Sequence, residues 1–126
     1  MRVNICNKLL FKDVVQQLFP EFDLPEINGF TIDSRSVKQG DIFLPLKGKN
    51  YDGHQFISQA EALGASMAFV DTPIETSLLT KHIHSTKEFL YELVREYRCK
   101  LSYPFIGITG SNGKTTTKDL LYHVLS

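Results

Sequence analysis

Cysteine is scarce in this sequence: Cys6 and Cys99 are its only two, too far apart for a CxxC pair and too few for a disulfide framework. Free thiols packed at least partly into the interior are the expectation for both. An excess of charge of one sign is also missing. Fourteen Lys plus Arg cancel fourteen Asp plus Glu, so no overall basic field draws the chain onto nucleic acid or an anionic membrane. Any anion it binds must be held by local geometry. Long apolar runs are absent as well: none approaches the roughly 20 residues of a membrane span. The opening Met1-Arg2-Val3-Asn4-Ile5-Cys6 lacks the apolar stretch and small-residue cleavage site of a secretory signal. A cytoplasmic protein is expected, without nucleic-acid or membrane partners, and a monomer. What is present, 42% hydrophobic and 22% charged residues, suits a folded globule rather than a disordered chain. The length of 126 residues allows one compact domain, or a small domain plus a piece of another.

Hydrophobic spacing divides the chain into α and β segments. Asn7 to Phe19 places Leu10, Val14 and Leu18 on one helical stripe with Phe11, Val15 and Phe19 beside it; Asn7 is the candidate N-cap and Pro20 the stop. Two short β-like runs follow, Phe30-Thr31-Ile32 and Asp41-Ile42-Phe43-Leu44, with a turn expected between them. Pro45 requires the second strand to end, bulge or lie at an edge. Phe56, Ile57, Ala60 and Leu63 recur at helical spacing before Gly64, and Met67-Ala68-Phe69-Val70 reads as a buried strand. The mixed-polarity stretch from Asp71 to His84 is where a domain boundary is expected, giving units of residues 1–79 and 80–126. Ser85-Thr86-Lys87-Glu88 fits a capping box, and Phe89, Leu93 and Tyr97 mark the core face of the helix behind it, flanked by Leu90 and Val94. The overall expectation is an α/β protein: a small mixed α/β unit, then the first helix, strand and helix of a truncated P-loop domain.

The chemistry-bearing motif lies near the C-terminal end. Pro104-Phe105-Ile106-Gly107-Ile108 is a continuous apolar run, as in a parallel strand buried on both faces. Thr109-Gly110-Ser111-Asn112-Gly113-Lys114-Thr115-Thr116-Thr117 joins it to a candidate helix bearing Leu120, Leu121, Val124 and Leu125. Strand, glycine loop, Lys-Thr and helix is a phosphate-binding arrangement. Gly110 and Gly113 let amide N–H groups converge on phosphate oxygens, with Ser111, Asn112 and Thr116 in the same loop. Lys114 would neutralise the β- and γ-phosphates of ATP, and the Thr115 hydroxyl would ligate a bridging Mg²⁺. The strict pattern asks for a glycine six positions before the lysine, where Ile108 stands, so context carries this assignment rather than the text of the motif.

The run Ile108 to Asp119 resembles the ATP-binding loop of the Mur ligases, which build the peptide stem of bacterial peptidoglycan. A second set, Asp33-Ser34-Arg35-Ser36-Val37-Lys38-Gln39-Gly40-Asp41-Ile42-Phe43, then Gly48 and Asp52-Gly53-His54-Gln55-Phe56-Ile57, is similar to the N-terminal domain by which these enzymes hold the uridine-diphosphate end of their substrate. Pro45 departs from the alanine common in that strand. The Thr-Gly-Ser opening, with Lys118-Asp119 after the threonines, looks more like the ligases that join D-alanyl-D-alanine to UDP-N-acetylmuramoyl-tripeptide than those adding the third residue to UDP-N-acetylmuramoyl-dipeptide. The resemblance implies that Ile32 and Ser34 contact the uridine, that Lys49, Asn50 and Tyr51 line the other side, and that Arg35 or Lys49 approaches the diphosphate. It further implies ATP and Mg²⁺ as cofactors and a D-alanyl-D-alanine site outside these residues. Twelve residues follow Lys114, too few for the sheet a P-loop strand joins. The rest of such a domain is expected beyond Ser126, with the last 20 or so residues poorly supported here.

Plainer roles compete at several positions. Asp33 and Arg35 also suit a structural ion pair or a turn cap, and Asp52-Gly53 a turn before a helix. His54 suits capping or packing better than base catalysis. His82 and His84 have chelating spacing but no evident third ligand nearby. A non-catalytic module that binds a UDP-sugar or nucleotide, and an unrelated P-loop kinase or ATPase, are the rivals from other classes.

Overall fold

The computed structural model describes residues 2–102 and residue 124. The expected strand Pro104–Ile108, the glycine loop with Gly110, Ser111, Asn112, Gly113, Lys114, Thr115 and Thr116, and most of the helix behind it lie outside the described residues. Within them the chain runs β1 (Arg2–Asn4), α1 (Lys8–Leu18), β2 (Gly29–Thr31), β3 (Asp41–Phe43), α2 (Ile57–Ala62), β4 (Met67–Val70), β5 (Leu79–His82) and α3 (Thr86–Cys99). Short 3₁₀ turns cover Ser34–Ser36 and Gly53–Phe56. The fold is mixed α/β, as the hydrophobic spacing predicts.

The five strands form one sheet in the order β1-β2-β3-β4-β5, antiparallel between β1 and β2 and parallel thereafter. Side chains alternate across a strand, so each central strand feeds two cores. Ile42, Leu44, Met67 and Phe69 point into the larger core, which is closed by Phe11, Val14 and Val15 of α1 and Phe89, Leu90, Leu93 and Tyr97 of α3. Phe43, Ala68 and Val70 point the other way, onto Ile57 and Ala60 of α2. A three-layer sandwich results because both faces of β3 and β4 are apolar. Val124 is buried in the larger core.

Local signals set the helix ends. The Asn7 side chain accepts from the Leu10 amide at 3.0 Å, and Ser85 Oγ accepts from the Glu88 amide at 3.3 Å, so both expected caps form. Gly64 takes φ +96°, open to glycine, at the turn after α2. Strand β3 ends at Phe43, ahead of Pro45, and lies inside the sheet rather than at an edge.

Two expectations are corrected. The segment between β2 and β3 is no simple turn, because these strands run parallel; the chain crosses over through the Ser34–Ser36 turn. Within the expected helical stripe, Ile57 and Ala60 carry the packing of α2, and Phe56 and Leu63, just outside the helix ends, are 38% and 44% exposed. Both cysteines are exposed, since Cys6 follows β1 in the loop to α1 and Cys99 ends α3. The division expected after residue 79 falls at the first residue of β5, and α3 beyond it packs against α1.

Candidate functional site

On the α2 side of the sheet, a cleft of about 580 Å³ opens beyond the C-terminal ends of β2 and β3, a usual location for ligands in parallel sheets. The crossover after β2 supplies Ile32, Asp33, Ser34 and Arg35, and β3 supplies Phe43. Tyr51 and Gly53 come from the loop after β3, and Phe56 and Gln59 from the 3₁₀ turn and α2. Four residues implicated by sequence, Ile32, Ser34, Arg35 and Tyr51, thus meet in one cleft although 19 positions separate the first from the last. Lys49 and Asn50 are exposed in the adjoining loop, outside the cleft lining.

The crossover wall is braced internally. The Thr31 hydroxyl donates to the Asp33 carbonyl and accepts from the Asp33 amide. The Asp33 carboxylate caps the 3₁₀ turn by accepting from the Arg35 amide at 3.0 Å, and it takes two further bonds from the Arg35 guanidinium at 3.0 and 2.9 Å. Those side-chain bonds hold the Asp33 carboxyl down at about 2. The expected structural ion pair forms, and the Arg35 side chain is still 81% exposed, with guanidinium N–H groups not taken up by Asp33. Ser34 is buried at the cleft floor and donates its hydroxyl hydrogen to Gln59 Oε1 at 3.0 Å.

The facing wall is a tight loop. The Gly48 amide donates to the Tyr51 carbonyl at 2.8 Å, and the Gly53 amide donates to the Leu46 carbonyl at 2.9 Å. A Cβ at Gly53 would lie 2.8 Å from both the amide nitrogen and the carbonyl oxygen of Leu46, a backbone approach that only glycine allows. Tyr51 is left 55% exposed at the cleft mouth.

Behind this loop, His54 is buried between two aspartates. Its Nε2 accepts from the Asp71 amide at 3.2 Å, which leaves the proton on Nδ1, 2.6 Å from Asp52 Oδ1. Asp52 also caps the turn by accepting from the His54 amide at 3.0 Å. Asp71 takes Thr86 N–H and O–H at 3.0 and 3.2 Å, the Thr72 hydroxyl at 3.1 Å and Lys47 Nζ at 2.9 Å. Burial alone would raise the Asp71 pKa, but the Thr86 amide, Lys47 and Thr72 outweigh it and hold the carboxyl at about 2. His54 is thus a packed structural residue that ties the cleft loop to β4 and the start of α3. Among the described residues no group of three His, Cys, Asp or Glu could hold a metal, so His82 and His84 gain no further ligand there.

Asp33, Phe43, Gly53, Phe56 and Gln59 line the cleft without having been implied as contacts by the sequence. Phe43 looks like any strand residue, and Phe56 falls in a run at helical spacing, which marks neither as facing a cleft. Gln59 sits one residue before the buried Ala60, a position that marks it as outward but not as facing a cleft.

A family model described as "Mur ligase family, catalytic domain" matches residues 26–101. The UDP-N-acetylmuramoyl-tripeptide--D-alanyl-D-alanine ligase of Bacillus subtilis (strain 168) is 37% identical over 110 residues, which cover 84% of this chain and 24% of that protein. The UDP-N-acetylmuramoyl-L-alanyl-D-glutamate--2,6-diaminopimelate ligase of Aquifex aeolicus (strain VF5) is 38% identical over 106 residues, 82% of this chain and 22% of that protein. Among solved structures, a UDP-N-acetylmuramoylalanyl-D-glutamyl-2,6-diaminopimelate--D-alanyl-D-alanyl ligase from Acinetobacter baumannii matches with a TM-score of 0.68 at 32% identity, over 87% of this chain and 26% of that one. The MurF ligase of Thermotoga maritima, solved in complex with ADP, matches with a TM-score of 0.58 at 38% identity, over 76% of this chain and 22% of that one. The chain spans about a quarter of the length of the curated relatives it matches.

Proposed function

The chain belongs to the Mur ligase family, and on that premise we propose that it carries the UDP-substrate-binding cleft and the ATP-binding loop of a cytoplasmic ligase. The reaction proposed joins D-alanyl-D-alanine to UDP-N-acetylmuramoyl-tripeptide in peptidoglycan precursor synthesis. ATP phosphorylates the tripeptide carboxylate to an acyl phosphate; the dipeptide amine then displaces phosphate, leaving an amide and ADP. The observation that carries this reading is the gathering of Ile32, Ser34, Arg35 and Tyr51 around one cleft.

The cleft suits a nucleoside diphosphate. Ile32, Phe43 and Phe56 give apolar walls of base size, Tyr51 offers an aromatic face at the mouth, and Ser34 supplies a polar contact at the floor. Arg35 adds positive charge at the rim, and in this reading Lys49 of the exposed neighbouring loop extends it toward the diphosphate. On the ATP side the assignment rests on sequence: amides from Gly110 to Gly113 cradle phosphate, Lys114 neutralises it, and Thr115 with Thr116 completes the loop, Thr115 holding Mg²⁺. In this reading the first unit contributes binding and orientation, and charge stabilisation of the transferring phosphoryl group falls to the loop.

A second reading, the ligase that adds diaminopimelate to the dipeptide substrate, is favoured by relatives of that name at similar identity. A titration of the purified chain with UDP-N-acetylmuramoyl-tripeptide should give saturable binding that UDP competes away. Ser34→Ala or Tyr51→Ala should weaken it by about tenfold, the scale of one well-made polar or stacking contact. A folded sample that binds no uridine nucleotide would overturn the cleft assignment. Phosphate release from ATP with the full ligase decides the substrate: stimulation by D-alanyl-D-alanine with the tripeptide supports the proposal, and stimulation by diaminopimelate with the dipeptide supports the second reading. Uridine binding without ATP turnover by either supports a non-catalytic module.

A further inference from the structure

Gln59 has no role in what precedes, yet it makes a direct side-chain contact on the cleft floor. It stands on α2, exposed on its outer side, and its Oε1 accepts the Ser34 hydroxyl hydrogen at 3.0 Å. A serine hydroxyl has one hydrogen to give and two lone pairs to offer. Once that hydrogen is committed to Gln59, Ser34 meets a ligand only as an acceptor.

This constraint bears on which base fits. Uracil carries an imide N3–H flanked by two carbonyls, so an acceptor facing N3 makes a hydrogen bond. Cytosine has a lone pair at N3, and the same acceptor would meet it as an unpaired, repulsive contact. A free serine hydroxyl would serve both bases, because it rotates to donate or accept as the ligand requires. The selectivity therefore resides in the partner that fixes the hydroxyl rather than in Ser34 alone. Ser34 is well placed to be fixed in this way: it begins the 3₁₀ turn capped by Asp33, and it is only 7% exposed, so water competes poorly for its hydrogen.

We infer that Ser34 faces the N3 edge of the base and that Gln59 is a positioning and specificity-determining residue, which holds the Ser34 hydroxyl as an acceptor toward N3 and thereby selects uracil over cytosine in the diphosphate-bearing ligand. The inference rests on the reading of the cleft as a uridine-nucleotide site. It also makes the side chain at position 59 matter for its acceptor oxygen alone, so glutamate should serve as well as glutamine and leucine should not. The charge added by glutamate is common to both ligands, because UDP and CDP carry the same diphosphate, and it cancels in their ratio.

The test is the ratio of UDP to CDP affinity, measured by calorimetric titration of the full chain and of its Gln59→Leu and Gln59→Glu variants. The parent chain should prefer UDP. Gln59→Leu should lower that preference by about tenfold, the scale of one neutral hydrogen bond gained or lost, chiefly by binding CDP better. Gln59→Glu should keep the preference. An unchanged UDP:CDP ratio in Gln59→Leu, or an equal loss in both variants, would overturn the role of Gln59 while leaving the uridine cleft standing. Failure of the folded parent chain to bind UDP at all would overturn the cleft reading and this inference with it. Because Gln59 is exposed on a short helix whose packing rests on Ile57 and Ala60, both variants should melt near the parent temperature.

Discussion

At the scale of single residues, buried carboxylates do most of the organising. Asp71 joins four neighbours at once: its carboxylate holds Lys47, Thr72 and Thr86, and its backbone amide donates to His54. Its folded pKa of about 2 lies below the ordinary 3.8, so the folded state binds the proton less readily than the unfolded state. Asp71 therefore contributes stability that is fully present above pH ~4 and lost as pH falls through ~2, worth about 2 kcal/mol for a side chain only 9% exposed. Asp33, also held at about 2, adds to the same acid window, though solvent screens its pair with the exposed Arg35. Asp71→Asn should cost stability at neutral pH and flatten the fall in melting temperature between about pH 5 and pH 2, measured by thermal melts across that range. Arg2 and Asp41 form a second anchor, with Arg2 Nε 2.5 Å from Oδ2 and Arg2 N–H donating to Oδ1 at 2.7 Å. The pair clamps β1 to the fully buried start of β3 across β2.

At the scale of elements, the loop after β3 shapes the cleft, and its two glycines act differently. A Cβ at Gly53 meets Leu46 backbone, which cannot swing away, whereas a Cβ at Gly48 meets the Tyr51 ring, 2.8 Å from Cε1. Gly53→Ala should therefore lower stability by about 1–3 kcal/mol and weaken uridine binding with it. Gly48→Ala should displace Tyr51 and weaken binding with little change in melting temperature. Parallel chemical melts and UDP titrations of the two variants separate these outcomes. The caps and the apolar faces of α1 and α3 were legible in sequence, because Asn7, Ser85 and the 3.6-residue stripes are local signals. Strands β1 and β5 were not, since each is short, lies at a sheet edge and carries mixed polarity. The parallel course of β2 and β3 was likewise hidden, because nine intervening residues allow either a loop back or a tight crossover.

At the scale of the whole molecule, one aromatic cluster joins the layers on the larger-core side. Phe69 of β4 lies 4.4 Å from the Phe89 ring of α3 and 6.2 and 6.4 Å from Phe19 and Phe22, which follow α1. Lys81 of β5 sits over Phe19 and Phe22 at 5.0 and 5.5 Å, closing the cluster toward solvent with a cation. Phe69→Ala should remove about 3–5 kcal/mol, seen as a large drop in denaturation midpoint, and loosen both helices at once rather than one. The sequence alone determined the α/β pattern, the family resemblance and four residues of the cleft, because each depends on residue type at short spacing or on a contiguous motif. Tertiary structure alone decided that Phe43, Phe56 and Gln59 face the same cleft and that Ser34 gives its hydrogen to Gln59. It also decided that Ile83 and α3 share a core with the residues before them. Those relations come from parallel strands bringing distant segments side by side, and no local periodicity encodes which residues then meet.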